Sequence, residues 1–314
     1  MLAVLESLGI DAAATVDNGD ARHSVAEWLR DHRELTRLAP ATVEAYAEQS
    51  GNAALQAHWA ALDDAGRREF FEARQFVDLV QEYPGTLPAE ALVALLRPLT
   101  PRSYSIASSQ DEVDDEVHLT VATLFSDAIG VERRGVASDH LNRSLQPGDT
   151  VGVYLEPNRR FRLPVDRSTP LILIAAGTGI APYRAFMQQL ESEGHAPETW
   201  LIYGNPHLRT DFLYQREWLR WREQGLVHRI DGAFSRDQRA KRYVQHIVRE
   251  NAAAIGEWLD RGAHLYLCGG LAMGRAVEQA LAEGIGAERG LAPEVAAEWL
   301  AGIRQEKRLL KDLY

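Results

Sequence analysis

Two phrases of this 314-residue chain put glycines, hydroxyls and cations where a dinucleotide could be held. In LILIAAGTGIAPYRAF an apolar run enters Gly177-Thr178-Gly179 and then a helical pattern, with Pro182 suited to the first turn. Free amides at such a helix start can approach a pyrophosphate, and the helix dipole favours its charge. Pro182 replaces the third glycine of the usual fingerprint, and a plain strand-to-helix turn would read the same way. A fold that prefers NAD normally ends its second strand on a carboxylate for the ribose hydroxyl. Here TWLIYG is followed by Asn205-Pro206, and the cations come later, in FSRDQRAKRYVQ. Ser235, Arg236, Lys241, Arg242 and Tyr243 could hold a 2′-phosphate and stack on adenine, so NADP fits better than NAD. The plainer alternative is a solvated, charged helix start.

Further upstream, PRSYSIASS sets Arg102, Tyr104 and Ser105 on alternate faces of an expected strand. An arginine for phosphate, a ring for stacking and a hydroxyl for a ring nitrogen suit a flavin nucleotide. The same residues could also decorate any half-exposed strand. RGVASDHL offers a second glycine-led helix start, with Ser138 placed as its cap. Cys268 follows an apolar run at the edge where a parallel sheet binds its ligand, although lone buried cysteines usually only pack. The ten histidines are scattered without metal-ligand spacing, and no serine has the partners of a triad.

The elements that must position these residues fall into three regions: 1–98, 99–166 and 167–314. The first has helical spacing, as in SVAEWLRDH, ATVEAYAEQ and AEALVALLR, with breaks at TRLAP and EYPGTLP, and reads as all helix. The second shows short alternating runs, SYSIASS, EVHLTVATLF and TVGVYLEP, the look of an antiparallel β unit interrupted by one short helix, SDHLNRSL. In the third, strands and helices alternate from LILIAA to GRAVEQALAEG, which predicts a parallel sheet wrapped by helices. A last helix is expected to hold the terminal KRLLKDLY in place.

The totals set bounds on partners. A net charge of -11 repels nucleic acid and anionic lipid, so a phosphate ligand needs a local cluster of cations and backbone donors. The single cysteine excludes an internal disulfide and suits a reducing cytoplasm. The opening MLAVLESLGIDAAATVD does not read as a secretory signal, and the most apolar stretch is too short to span a membrane.

Together these phrases resemble the ferredoxin-NADP reductase module of diflavin reductases, nearest of all the flavoprotein subunit of assimilatory NADPH-sulfite reductase. The likeness runs through LLRPLTPRSYSIASSQ, GTGIAPYRAFMQQ, YGNPHLRTDFLYQ, DGAFSRDQRAKRYVQ, CGG and the terminal Tyr314. It implies an α/β plus β fold: an antiparallel FAD-binding barrel with an all-helical connecting insertion, then a parallel-sheet, Rossmann-like NADP domain. It implies FAD on Thr36, Arg102, Ser103, Tyr104 and Ser105, with Arg102 at the pyrophosphate, Tyr104 against the isoalloxazine and Ser105 near N5. Thr120, Val121 and Ala122 would touch the flavin through backbone, and Gly135, Val136, Ala137 and Ser138 would close round the pyrophosphate. NADPH would take Gly177, Thr178, Gly179 and Pro182 at one end, and Ser235, Arg236, Lys241, Arg242, Tyr243, Val244 and Gln245 at the 2′-phosphoadenosine end. Ser105, Cys268 and Asp312 would line the hydride-transfer site, with Tyr314 stacked on the flavin.

The activity implied is an NADPH-dependent oxidoreductase that moves hydride to FAD and electrons onward, through FMN to a sirohaem iron-sulfur partner that reduces sulfite to sulfide. The alternatives are a stand-alone reductase serving a ferredoxin or flavodoxin, and a flavin-free remnant that binds only NADP or a partner. No phrase resembles the family's FMN-binding flavodoxin domain, and the first barrel strands are expected outside this sequence. Two finer departures are Cys268-Gly269-Gly270 for the family's Cys-Gly-Asp, with Ala276 in place of an acid, and Ser126 in place of an aromatic.

Overall fold

A computed structural model describes residues 1–128 and 130–314, without the side chains of 126–128, so the side chain of Ser126 lies outside the described residues. Chain contacts divide it into two units, Met1–Ser103 with Thr123–Asp149, and Tyr104–Ala122 with Thr150–Tyr314.

The first unit is built on helices with readable stop and start signals. Asn52 accepts the Leu55 N–H ahead of helix Ala53–Ala61, Asp63 caps Asp64–Ala73, and Pro40 opens Pro40–Gln49. Apolar faces of these helices and of Phe76–Glu82 and Ala89–Leu95 meet in a core of Val43, Tyr46, Leu55, Phe76, Leu79 and Leu92. Burying each such side chain contributes about 1.5–3 kcal/mol. The Tyr46 hydroxyl is satisfied by the Tyr83 carbonyl at 2.8 Å.

The expectation of helix throughout this region is corrected at one place. β1 (Thr15–Asp17) and β2 (Arg22–Ser24) form an antiparallel pair. The Asn18-Gly19 turn between them decides this, since Gly19 takes φ +91° and Asn18 Oδ1 accepts the Asp20 and Ala21 amides. Strands this short lie below the length at which alternation is visible.

A second hairpin, β3 (Phe125–Ala128) and β4 (Val131–Arg134), belongs to the same unit. Its Arg133 guanidinium is bonded to Gln75 and Asp78.

In the second unit β5 (Leu171–Ala176), β6 (Thr199–Asn205), β7 (Arg229–Phe234), β8 (His264–Gly269) and β9 (Leu309–Leu313) form one sheet in the order β7-β6-β5-β8-β9. Every neighbouring pair is parallel. Leu171, Ile172, Leu173 and Ile174 are all buried, as a strand covered on both faces requires. The order reverses at β5: the next two strands lie to one side, β8 and β9 to the other. The crevice between the ends of β5 and β8 is therefore the switch point at which such sheets bind ligands.

Two sequence expectations change in this unit. KRLLKDLY is not a tail behind a helix: residues 309–313 are the sheet's edge strand, and helix Pro293–Gln305 stops short of it. Leu-Leu-Lys-Asp-Leu carries no turn signal and too few residues to declare its period, so β8 decides. The alternating runs of 99–166 form less ladder than expected. Ile106 and Leu119 make one bridge, Arg102, Tyr104 and Ser105 lie on no strand, and residues 150–157 are paired to nothing among the described residues. Alternation gives a segment two faces, but a ladder also needs a partner strand. Val153, Tyr154 and Leu155 stand 67% to 79% exposed there.

Candidate functional site

The turn after β5 starts with Gly177 at φ +57°, which an L side chain seldom adopts. Gly179 is required for another reason. A Cβ there would lie 2.1 Å from the Cys268 carbonyl oxygen, so glycine lets the β5 turn press against the end of β8. Helix Ala181–Ser192 follows, with Pro182 buried in its first turn.

Three of the predicted residues converge at this switch point. Ser105 Oγ donates to Asp312 Oδ2 at 3.1 Å, and Cys268 Sγ lies 3.9 Å from the same oxygen. β8 and β9 place Cys268 and Asp312 as direct register partners. Burial, then the Asp312 carboxylate, pushes the Cys268 thiol far up, so it stays protonated and serves as a weak donor rather than a nucleophile. Tyr314 continues β9: its N–H donates to the Gly269 carbonyl at 3.1 Å, and its hydroxyl pairs with Thr178 Oγ1 at 2.7 Å. The residue as a whole is 59% exposed, although its hydroxyl is desolvated enough to be held above the ordinary tyrosine range.

The segments that follow Ser105 are held by a network that sequence reading missed. Buried Arg184 donates to the Ala107 carbonyl at 2.7 Å and to Glu217 at 2.7 Å, and its guanidinium lies over the Tyr214 ring. The Tyr214 hydroxyl meets Thr120 Oγ1 at 2.7 Å, and Ser109 N–H donates to Gln188 at 2.9 Å. Tyr214 sits at φ +57°, a backbone position that costs a non-glycine residue about 1–3 kcal/mol. Val121 is half-buried and Ala122 exposed just beyond Thr120, while Tyr104 is half-buried beside Ser105.

At the other end of the sheet, Ser235 is half-buried while Arg236, Lys241, Arg242 and Tyr243 are exposed. Arg242 is taken by Glu250; Arg236 and Lys241 have no ion pair among the described residues. Val244 is in the core, packed where a Cβ on Gly204 would stand 2.8 Å from its Cγ1. Gln245 is half-buried in the first turn of helix Val244–Glu250.

In the first unit, Thr36 donates to Glu34 at 2.6 Å and Arg102 donates to the same carboxylate at 2.9 Å. Arg102 also bonds the Thr100 carbonyl and hydroxyl, so its fork is engaged locally. Although burial opposes it, these hydrogen bonds from Thr36 and Arg102 hold the Glu34 carboxyl below the usual range. Thr36 and Val136 line one cavity of about 200 Å³ with Glu34, Gln75 and Leu99. Ser103 is exposed and Ala137 half-buried.

Ser138 is not the cap expected of it. Gly135 is the N-cap of helix Val136–Asp139, and Ser138 lies within the turn, its Oγ accepting the Leu124 N–H at 3.1 Å. Gly135 leaves no room for a side chain, because a Cβ would stand 2.8 Å from Ser138 Oγ.

A positive-φ glycine turn at the switch point, unpaired cations past β7 and a glycine cradle at Gly135 fit two nucleotides. Residues 36–140 match the FAD binding domain and residues 173–279 the oxidoreductase NAD-binding domain. Fold and matches together show an FAD-binding domain followed by a nicotinamide-dinucleotide-binding domain of the oxidoreductase kind. Over nearly its whole length the chain is similar to the sulfite reductase (NADPH) flavoprotein alpha-component. It is 48% identical to that protein of Shewanella oneidensis over 99% of this chain and 52% of the relative. The Cronobacter sakazakii protein is 46% identical over 99% and 52%, and that of Neisseria meningitidis serogroup B 44% over 99% and 51%. The chain thus spans about half the length of the curated relatives it matches.

Among the described residues, no helix is long and apolar enough to cross a membrane, and no cluster of three or more histidine, cysteine or acidic residues could hold a metal ion.

Proposed function

We propose that this chain draws electrons from NADPH into FAD as part of a cytoplasmic sulfite-reductase-type flavoprotein. A bound nicotinamide would supply a hydride and a bound flavin would accept it. The chain's own residues position and stabilise. The observation that carries the reading is Asp312, held between Ser105 and Cys268 at the switch point of a parallel sheet. A carboxylate fixed there stabilises positive charge as it grows on a nicotinamide ring, and needs no proton to do so. The protonated Cys268 thiol and the Ser105 hydroxyl keep that carboxylate in one place.

Tyr314 is anchored through backbone and hydroxyl while the residue keeps more than half of its surface exposed, as an aromatic that shields a flavin requires. Arg236 and Lys241 take the 2′-phosphate, with Ser235 as a hydrogen-bond donor and Tyr243 on the adenine. Thr36, Arg102, Ser103, Tyr104, Thr120, Val121, Ala122 and residues 135–138 take FAD, and Arg102 must share its fork with Glu34 to do so. Functionally, we divide the chain into a helical connector (1–98), an FAD-binding portion (99–166) and an NADPH-binding domain (167–314).

The electron path then continues, as the family resemblance implies, to an FMN domain and to a haemoprotein that reduces sulfite. The relatives themselves are named as sulfite reductase flavoprotein components. The test is anaerobic addition of NADPH to the purified chain reconstituted with FAD. Bleaching of the flavin absorbance, with NADPH far more effective than NADH, supports the reading. Bound FAD that NADPH does not bleach refutes it, as does a chain that takes up no FAD.

A further inference from the structure

The loop after β7 carries the cations assigned to the 2′-phosphate, yet its residues 236–243 are all exposed, so burial does little to fix them. Polar contacts do this instead. Ser235 N–H donates to the Asn205 carbonyl at 3.0 Å and Arg236 N–H to the Pro206 carbonyl at 2.9 Å. The next residue, Asp237, turns its carboxylate back to the segment after β6. One oxygen accepts the Leu208 N–H at 2.8 Å and the other meets His207 Nδ1 at 2.8 Å. An ionised carboxylate can only accept, so Nδ1 carries the proton. His207 is in turn fixed by its own N–H, which donates to Asp211 at 2.9 Å. The Leu208 N–H, then His207, hold the Asp237 carboxyl below the usual range, which keeps the clamp ionised at neutral pH.

We propose that Asp237, clamped by His207 and the Leu208 amide, is a positioning residue that selects NADPH over NADH by holding Ser235 and Arg236 in place for the 2′-phosphate. This rests on the NADP reading above and adds two residues to it. The proposal runs against simple electrostatics. An acid among Arg236, Arg239 and Lys241 lowers the local positive potential, so on charge alone its removal strengthens phosphate binding. A clamp has the opposite sign, because a loop that must be ordered on binding loses affinity.

The test uses the full chain with 2′,5′-ADP and 5′-ADP as probes, titrated by calorimetry at neutral pH and low salt. For Asp237→Ala, 2′,5′-ADP affinity is expected to fall about tenfold while 5′-ADP affinity stays within about twofold, the unequal response marking a lost phosphate contact and not a lost fold. Asp237→Asn keeps an acceptor for the Leu208 amide and preserves the loop, and is expected to lose less, in the same direction. His207→Ala should behave like Asp237→Asn. Unchanged or tighter 2′,5′-ADP binding in both Asp237 variants overturns the clamp while leaving the NADP reading intact. A wild-type chain that does not prefer 2′,5′-ADP overturns the NADP reading, and the clamp with it.

Discussion

At the scale of the residue, Ser105, Cys268 and Asp312 share one oxygen, and only Asp312 carries a charge to use on a nicotinamide. Asp312→Asn is nearly isosteric and removes that charge. In FAD-reconstituted protein the rate of flavin reduction by NADPH should fall about 10²-fold, the scale of one preorganised electrostatic contact, with 2′,5′-ADP affinity unchanged. Stopped-flow absorbance and calorimetry separate the two; an unchanged rate would remove Asp312 from the site. Cys268 yields an opposite kind of expectation. Its raised thiol stays protonated at pH 8, so iodoacetamide should leave the folded chain unmodified and alkylate it readily in urea, as read by mass spectrometry.

At the scale of the element, the stretch before β5 is tied to helix Ala181–Ser192 and the residue after it by Arg167 and Glu193, 2.6 Å apart. Hydrogen bonds from Arg167 and then Gln189 draw the Glu193 carboxyl from 4.5 down to about 2. A carboxyl depressed by folding contributes stability that is complete above its unfolded value and disappears as pH falls through its folded one. The stability gap between wild type and Glu193→Gln should therefore be widest above about pH 4.5 and close towards about pH 2. Because both side chains are about a quarter exposed, the gap will be modest. Urea titrations across that range read it directly, and a gap independent of pH would assign the effect to packing.

At the scale of the whole molecule, two surface features set solution behaviour. The chain carries a net charge of -11, against which the loop cations must act. In the second unit, Val153, Tyr154 and Leu155 form an exposed apolar run on a segment without a ladder partner among the described residues. Unpaired, extended and apolar backbone recruits other chains. Val153→Thr with Leu155→Lys should reduce association, seen as lower light scattering at matched concentration, while 2′,5′-ADP affinity is unchanged. Scattering that does not change would free this run of responsibility.

Much of the site was legible because its signals are local. Gly177-Thr178-Gly179 after LILIAA announces a strand, a turn and a helix, and the cations of FSRDQRAKRYVQ, from Arg236 to Arg242, stand close together in the chain. Alternating strands and helices likewise declare the parallel sheet, since periods of two and near four are visible within a few residues. What failed to show was whatever depends on a partner far along the chain. Residues 309–313 become a strand because β8 offers them an edge, and Ser138 ceases to be a cap because the Leu124 amide claims its hydroxyl. Residues 150–157 have the alternation of a strand and form none. Asp237 looked like one charge in a charged run until folding brought it to His207. The sequence by itself determined which chemistry is present and the period of most elements; only the tertiary structure decided which groups meet, because a hydrogen bond or a ladder needs two partners and the sequence lists them one at a time.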